Sequence, residues 1–106
     1  MTLYQQRLQQ VLDVLKELRP EKIYSYGSWV NGNPARNSDV DLAVIVDNGA
    51  DLVALKRKLA VRLWEEQYPY DLEPDIHFIP KRKFDYRLSK GDLFITNVAK
   101  GNVIYG

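Results

Sequence analysis

The run Val40 to Val46 (VDLAVIV) constrains this chain more than any other segment. From Leu42 onward it is unbroken apolar sequence rich in β-branched residues, the pattern of a strand buried on both faces at the centre of a sheet. Turn-forming residues bracket it, with Asn37 and Ser38 before and Asp47, Asn48 and Gly49 after. Two carboxylates, Asp39 and Asp41, stand at its entrance. Residues two apart on a strand share a face, so both carboxylates are expected to project side by side.

The flanking sequence supplies helices and further strands. Tyr4, Leu8, Val11, Leu12, Leu15 and Leu18 recur at spacings of three and four, which predicts an amphipathic helix capped by Thr2 and stopped by Pro20. Lys22 to Tyr26 suits a short strand, and Gly27 to Ser38 reads as a turn with room for a helical turn near Ser28. Asp51 to Glu66 predicts a second helix, with Leu52, Leu55, Leu59 and Leu63 as its core line and Val53, Ala60 and Trp64 in support. Leu72 to Ile79 alternates, with Ile76 and Phe78 on one side and Asp75, His77 and Ile79 on the other; Pro74 suits a strand start or a sheet edge. The basic stretch Lys81 to Lys83 reads as a solvated loop. A short helix follows over Asp92 to Lys100, with Gly101 as its C′ residue, and Val103 to Tyr105 suits a terminal strand. These elements predict one α+β domain over residues 1–106: a small mixed β-sheet with helices packed on one side.

Charge and composition narrow the function. Fifteen Lys and Arg against fourteen Asp and Glu leave a net charge of +1, which argues against a nucleic-acid sponge or a membrane-surface peptide. The absence of Cys excludes disulfides, thiolate catalysis and Cys-ligated zinc, and a single His weakens His-rich metal sites and a Ser-His-Asp triad. No apolar run approaches the ~18 residues of a membrane span, and the N-terminus is too polar for a signal peptide, so the expected location is the cytoplasm.

Two adjacent carboxylates repel each other and are costly to bury unpaired. A divalent cation resolves the conflict. Mg²⁺ favours hard oxygen ligands and typically takes one or two carboxylates together with substrate phosphates and water. Asp75 lies on the polar face of its own strand; if that strand neighbours the central one, Asp75 reaches the same site, either to accept the proton of an attacking hydroxyl or to share a second metal. Gly27 and Ser28 complete the arrangement, because a glycine lets backbone approach a phosphate and a helix start offers N–H groups to it. Each piece alone also has an ordinary reading: a Gly-Ser turn is common, Asp-X-Asp often marks a solvated strand end, and Asp75 suits an exposed strand position. His77 reads as a packed or hydrogen-bonded histidine outside the site, and the aromatics as core or rim.

In combination, Gly27-Ser28-Trp29-Val30-Asn31-Gly32, the following six residues, and Asp39-Val40-Asp41-Leu42 resemble the signature of the minimal nucleotidyltransferases of the DNA polymerase β-like superfamily. Ser38 matches as well, Asp75 stands where the third family carboxylate falls, and Phe94 to Tyr105 is similar to the tail of these short proteins. Trp29 and Asn31 stand where members often carry Arg, with Arg36 nearby. The resemblance implies a nucleotidyltransferase fold and Mg²⁺-dependent transfer of a nucleoside monophosphate, usually AMP from ATP, with release of pyrophosphate. It further implies Asp39, Asp41 and Asp75 as catalytic and metal-binding carboxylates, and Gly27 and Ser28 as triphosphate contacts. Many stand-alone members accompany a small HEPN-domain protein that resembles an RNase toxin, and act as its antitoxin, in some cases by attaching AMP to it.

A chain of 106 residues accommodates a catalytic core without a separate acceptor-binding domain, so the acceptor is expected to bring its own recognition surface. A HEPN-type partner protein fits that role, in a homo- or hetero-oligomeric assembly. Two alternatives stay open at this stage: a non-catalytic module that neutralises its partner by occlusion, and transfer to a small molecule or an RNA end.

Overall fold

The computed structural model describes residues 2–26 and 40–106. Helix α1 (Leu3–Glu17) opens with a capping box. Gln5 donates its backbone N–H to Thr2 Oγ1 at 3.1 Å, and Gln5 Oε1 accepts from the Thr2 N–H at 2.9 Å. Two N–H groups that the helix cannot satisfy internally are thereby paired. Strands β1 (Lys22–Ser25) and β2 (Val40–Val46) run antiparallel, with Ser25 opposite Leu42. Helix α2 (Leu52–Glu65), capped by the Asp51 side chain, carries the chain back to β3 (Pro74–Pro80), which lies parallel to β2. Helices α3 (Lys81–Ser89) and α4 (Leu93–Ala99) follow, and β4 (Asn102–Tyr105) closes on β1. The sheet order is β3-β2-β1-β4.

β2 is central, as its sequence requires. Val40, Leu42 and Val44 are fully buried and pack with Val11, Leu15, Leu59 and Leu63 of α1 and α2. Its alternate residues Ala43 and Ile45 pack on the opposite face with Phe84 of α3 and Ile95 and Val98 of α4. The expectation of helices on one side therefore holds for α1 and α2, while α3 and α4 cover the other face. Each fully buried aliphatic side chain contributes about 1.5–3 kcal/mol, so a strand apolar on both faces favours cover on both. Among the described residues no helix is long and apolar enough to cross a membrane.

Two local expectations are corrected. Trp64 and Val53 are exposed, at 77% and 66%, because Leu52, Leu55, Leu59 and Leu63 set the phase of α2 and turn both residues to solvent. Lys81 to Lys83 open a helix rather than a loop. Pro80 gives that helix no side-chain cap; Asn48, from the turn after β2, supplies one by accepting from the Arg82 N–H at 2.7 Å.

Arg7 of α1 grips Asp71, ahead of β3, through two contacts: Nε donates to Oδ1 at 2.6 Å and Nη2 to Oδ2 at 2.9 Å. The Arg7 hydrogen bonds hold the Asp71 carboxyl below its usual range. A carboxyl whose folded pKa is depressed contributes stability above its unfolded pKa and loses that contribution as pH falls through the folded value. Wild type should thus lose this contribution below roughly pH 4, and Asp71→Asn, which has no such group to protonate, should show a shallower acid loss. Urea midpoints of both proteins at neutral and acid pH check this; equal loss in the two would exclude the linkage.

Candidate active site

The ends of three adjacent strands meet on the α3/α4 face of the sheet. β2 and β3 are in register, with Asp41 level with Asp75 and Ala43 level with His77. Parallel neighbours lie about 4.8 Å apart, so the two carboxylates leave the same face side by side. Tyr26, just past the end of β1, donates its N–H to the Asp41 carbonyl at 3.3 Å and extends the row to a third strand. The row therefore reads Tyr26, Asp41, Asp75. Asp41 is half-buried and Asp75 exposed.

The electrostatics follow from this row. Burial first, and then the charges of Asp75 and Asp41, push the Tyr26 phenol well above its ordinary pKa. Tyr26 stays protonated at neutral pH and offers a hydroxyl. His77 sits two residues beyond Asp75 on the same face, its Nε2 at 3.4 Å from Asp75 Oδ1. Phe94 of α4 closes that side, 5.2 Å from the His77 ring and 5.6 Å, edge-on, from the Tyr26 ring. An aromatic wall thus backs the carboxylate pair.

The donor set decides which ion suits the row. Two hard carboxylate oxygens side by side, bordered by a hydroxyl, match Mg²⁺ completed by water and nucleotide phosphates better than they match a soft metal. Among the described residues no cluster of three or more His, Cys, Asp and Glu is assembled for a metal. Gly27, Ser28, Trp29, Asn31, Arg36 and Asp39 lie outside the described residues. Of the expected site residues, the fold brings Asp41 and Asp75 together. Covalent neighbours place the others close by in the chain, Gly27 following Tyr26 and Asp39 preceding Val40. A larger cleft of about 520 Å³, lined by Leu18, Ala54 and Val61, lies between α1 and α2 and holds none of this row.

Tyr26, His77 and Phe94 are the residues that sequence reasoning left out. His77 was legible, because period two puts it on the Asp75 face. Tyr26 and Phe94 carried no local signal; pairing with β2 and the docking of α4 place them.

The family model of the nucleotidyltransferase domain matches residues 8–99. Among solved structures, a crystal structure of a mutant of the toxin-antitoxin pair MntA-HpeT is similar, with a TM-score of 0.58 and 22% identity, covering 93% of this chain and 73% of that one. At that identity the likeness concerns the fold. No curated protein matches the chain.

Proposed function

Because this chain belongs to the nucleotidyltransferase domain family, we propose that it transfers AMP from ATP to a partner protein of the HEPN toxin type, and so acts as an antitoxin. The observation that carries this reading is the register of Asp41 with Asp75 on one face of the sheet. The toxin-antitoxin context of the structural neighbour supports a protein acceptor.

Asp41, with Asp39 two residues earlier, would hold Mg²⁺, and Asp75 would share it or act as the base. When bound, the ion supplies charge neutralisation and Lewis-acid polarisation of the triphosphate. An acceptor hydroxyl near Asp75 gives up its proton to that carboxylate as its oxygen attacks the α-phosphorus. A new P–O bond forms, the bond to the β-phosphate bridging oxygen breaks, and pyrophosphate leaves with that electron pair. Gly27 and Ser28 would contact the triphosphate by backbone N–H and hydroxyl donation. Phe94 and the Tyr26 ring shield one side of the reacting oxygen from water.

The label test is direct. With Mg²⁺, the purified chain and its cognate toxin, ATP labelled at the α-phosphate should label the toxin, while ATP labelled at the γ-phosphate should leave its label in pyrophosphate. Label arriving from the γ position would mean phosphoryl rather than nucleotidyl transfer. Protection of the toxin without ATP, and without label from either position, would select occlusion instead.

A further inference from the structure

We infer that the free edge of β3 is a docking strip for an extended acidic segment of the acceptor protein, delivering its hydroxyl to Asp75. The purpose of the strip rests on the transfer reading above; its existence rests on three separate observations.

The first is main-chain phase. Among the described residues β3 is an edge strand, paired with β2 alone. Val40 donates its N–H to the Glu73 carbonyl at 2.8 Å, so Glu73, Asp75, His77 and Ile79 turn their main-chain groups toward β2. In a parallel ladder the alternate residues turn theirs outward. Those are Pro74, Ile76, Phe78 and Pro80, and only Ile76 and Phe78 own an N–H. Two donors and their carbonyls are thus presented beside Asp75, enough for a short added strand.

The second is charge. A cleft of about 180 Å³ runs along this edge, lined by Ile76, Phe78 and Phe94 and by the cations Lys56, Lys83 and Arg87. Lys56 comes from α2 on one layer, Lys83 and Arg87 from α3 on the other. The cations therefore converge on the edge from both faces of the sheet.

The third is pairing. On the same helices Lys81 pairs with Asp85 at 3.3 Å and Arg62 with Glu17, Glu65 and Glu66, while among the described residues Arg57, Lys58 and Arg82 make no ion pair. Among the described residues Lys56, Lys83 and Arg87 make no ion pair. Lysines beside an edge also discourage aggregation. That role needs charge at the edge; it does not need three cations gathered from two layers beside outward-turned amides. An extended peptide uses those amides, whereas a nucleic acid does not, and the net charge of +1 gives little general attraction for a polyanion.

The test uses the full chain, isotopically labelled for amide detection, without nucleotide. Three probes are titrated: a short peptide of alternating glutamate and threonine, its lysine counterpart, and a single-stranded oligoadenylate. The glutamate peptide should shift the Ile76 and Phe78 amides and slow their hydrogen exchange. Lys56→Glu with Lys83→Glu and Arg87→Glu should weaken it by about tenfold or more, and the neutral triple Gln variant by less. The charge-reversed variant should accept the lysine peptide in its place. No shift with the glutamate peptide, equal binding of both peptides, or tighter binding of oligoadenylate at these amides would each overturn the proposal. Peptide docking should persist in Asp41→Ala, so a failure of transfer chemistry and a failure of docking read out separately.

Discussion

Asp41→Ala is expected to lose nucleotidyl transfer by about a thousandfold or more, equivalent to about 4 kcal/mol of transition-state stabilisation. The loss should fall on kcat, because the carboxylate acts on charge that develops as the α-phosphorus is attacked. Asp75→Asn should show a loss of similar order, since the two residues are level across β2 and β3 and serve one reacting centre. Groups acting as a unit are not additive, so the double variant should be little worse than the poorer single. Folding should survive, because each change removes one of two neighbouring like charges and neither side chain belongs to either buried cluster. Single-turnover transfer of α-label, with circular dichroism melts of all three variants, provides the check. If Asp41→Ala retains transfer within about tenfold of wild type, the carboxylate row is not the reacting centre.

The fold class was legible in the sequence, as was the shared face of Asp75 and His77, for physical reasons visible in particular residues. Period two placed Asp75, His77 and Ile79 on one face of their strand, and hydrophobic continuity made Val40–Val46 central; both are local patterns, and both recur in the structure. The register that sets Asp41 against Asp75 is not local. It depends on how α2 returns the chain to the sheet. Helix α3 was hidden for the same reason: its cap is Asn48, from the turn after β2, and Phe84 is its single buried residue. No local start signal and no apolar stripe remained to read. Trp64 misled because a large aromatic near a leucine line suggests core, yet the helical phase set by Leu59 and Leu63 turns it outward. The second helical layer was implicit in the doubly buried β2, but α3 is short and polar, and nothing local in the sequence of α4 says on which face of the sheet it packs.

Gly101→Ala is expected to be strongly destabilising, and its reason differs from the one the sequence suggested. Gly101 does follow the cap of α4, its N–H bonded to the Val98 carbonyl at 2.9 Å. It is not among the glycines with positive φ, which are Gly91 and Gly106. What requires glycine is space. A Cβ there would collide with the Ser25 carbonyl and press on Tyr26 Cβ and the Val98 carbonyl, each at 3.2 Å. Ser25 and Val98 present backbone, which cannot swing aside, so the start of β4 must move away from β1. Ser25 is paired with Asn102 there, and Tyr26 is the next residue, level with Asp41. The substitution should therefore cost about 3 kcal/mol or more, lowering Tm by about 12 °C or more. It should also reduce transfer at temperatures where the variant is still folded, because the Tyr26 end of the carboxylate row is displaced. Gly49→Ala is the matched control, since a Cβ at Gly49 meets nothing within 4 Å and should leave Tm within a few degrees. Melts of the two variants beside wild type discriminate the cases. If Gly101→Ala melts with Gly49→Ala, then β4 does not sit tightly against the end of β1, and the close packing that fixes Tyr26 beside Asp41 must come from α4 alone.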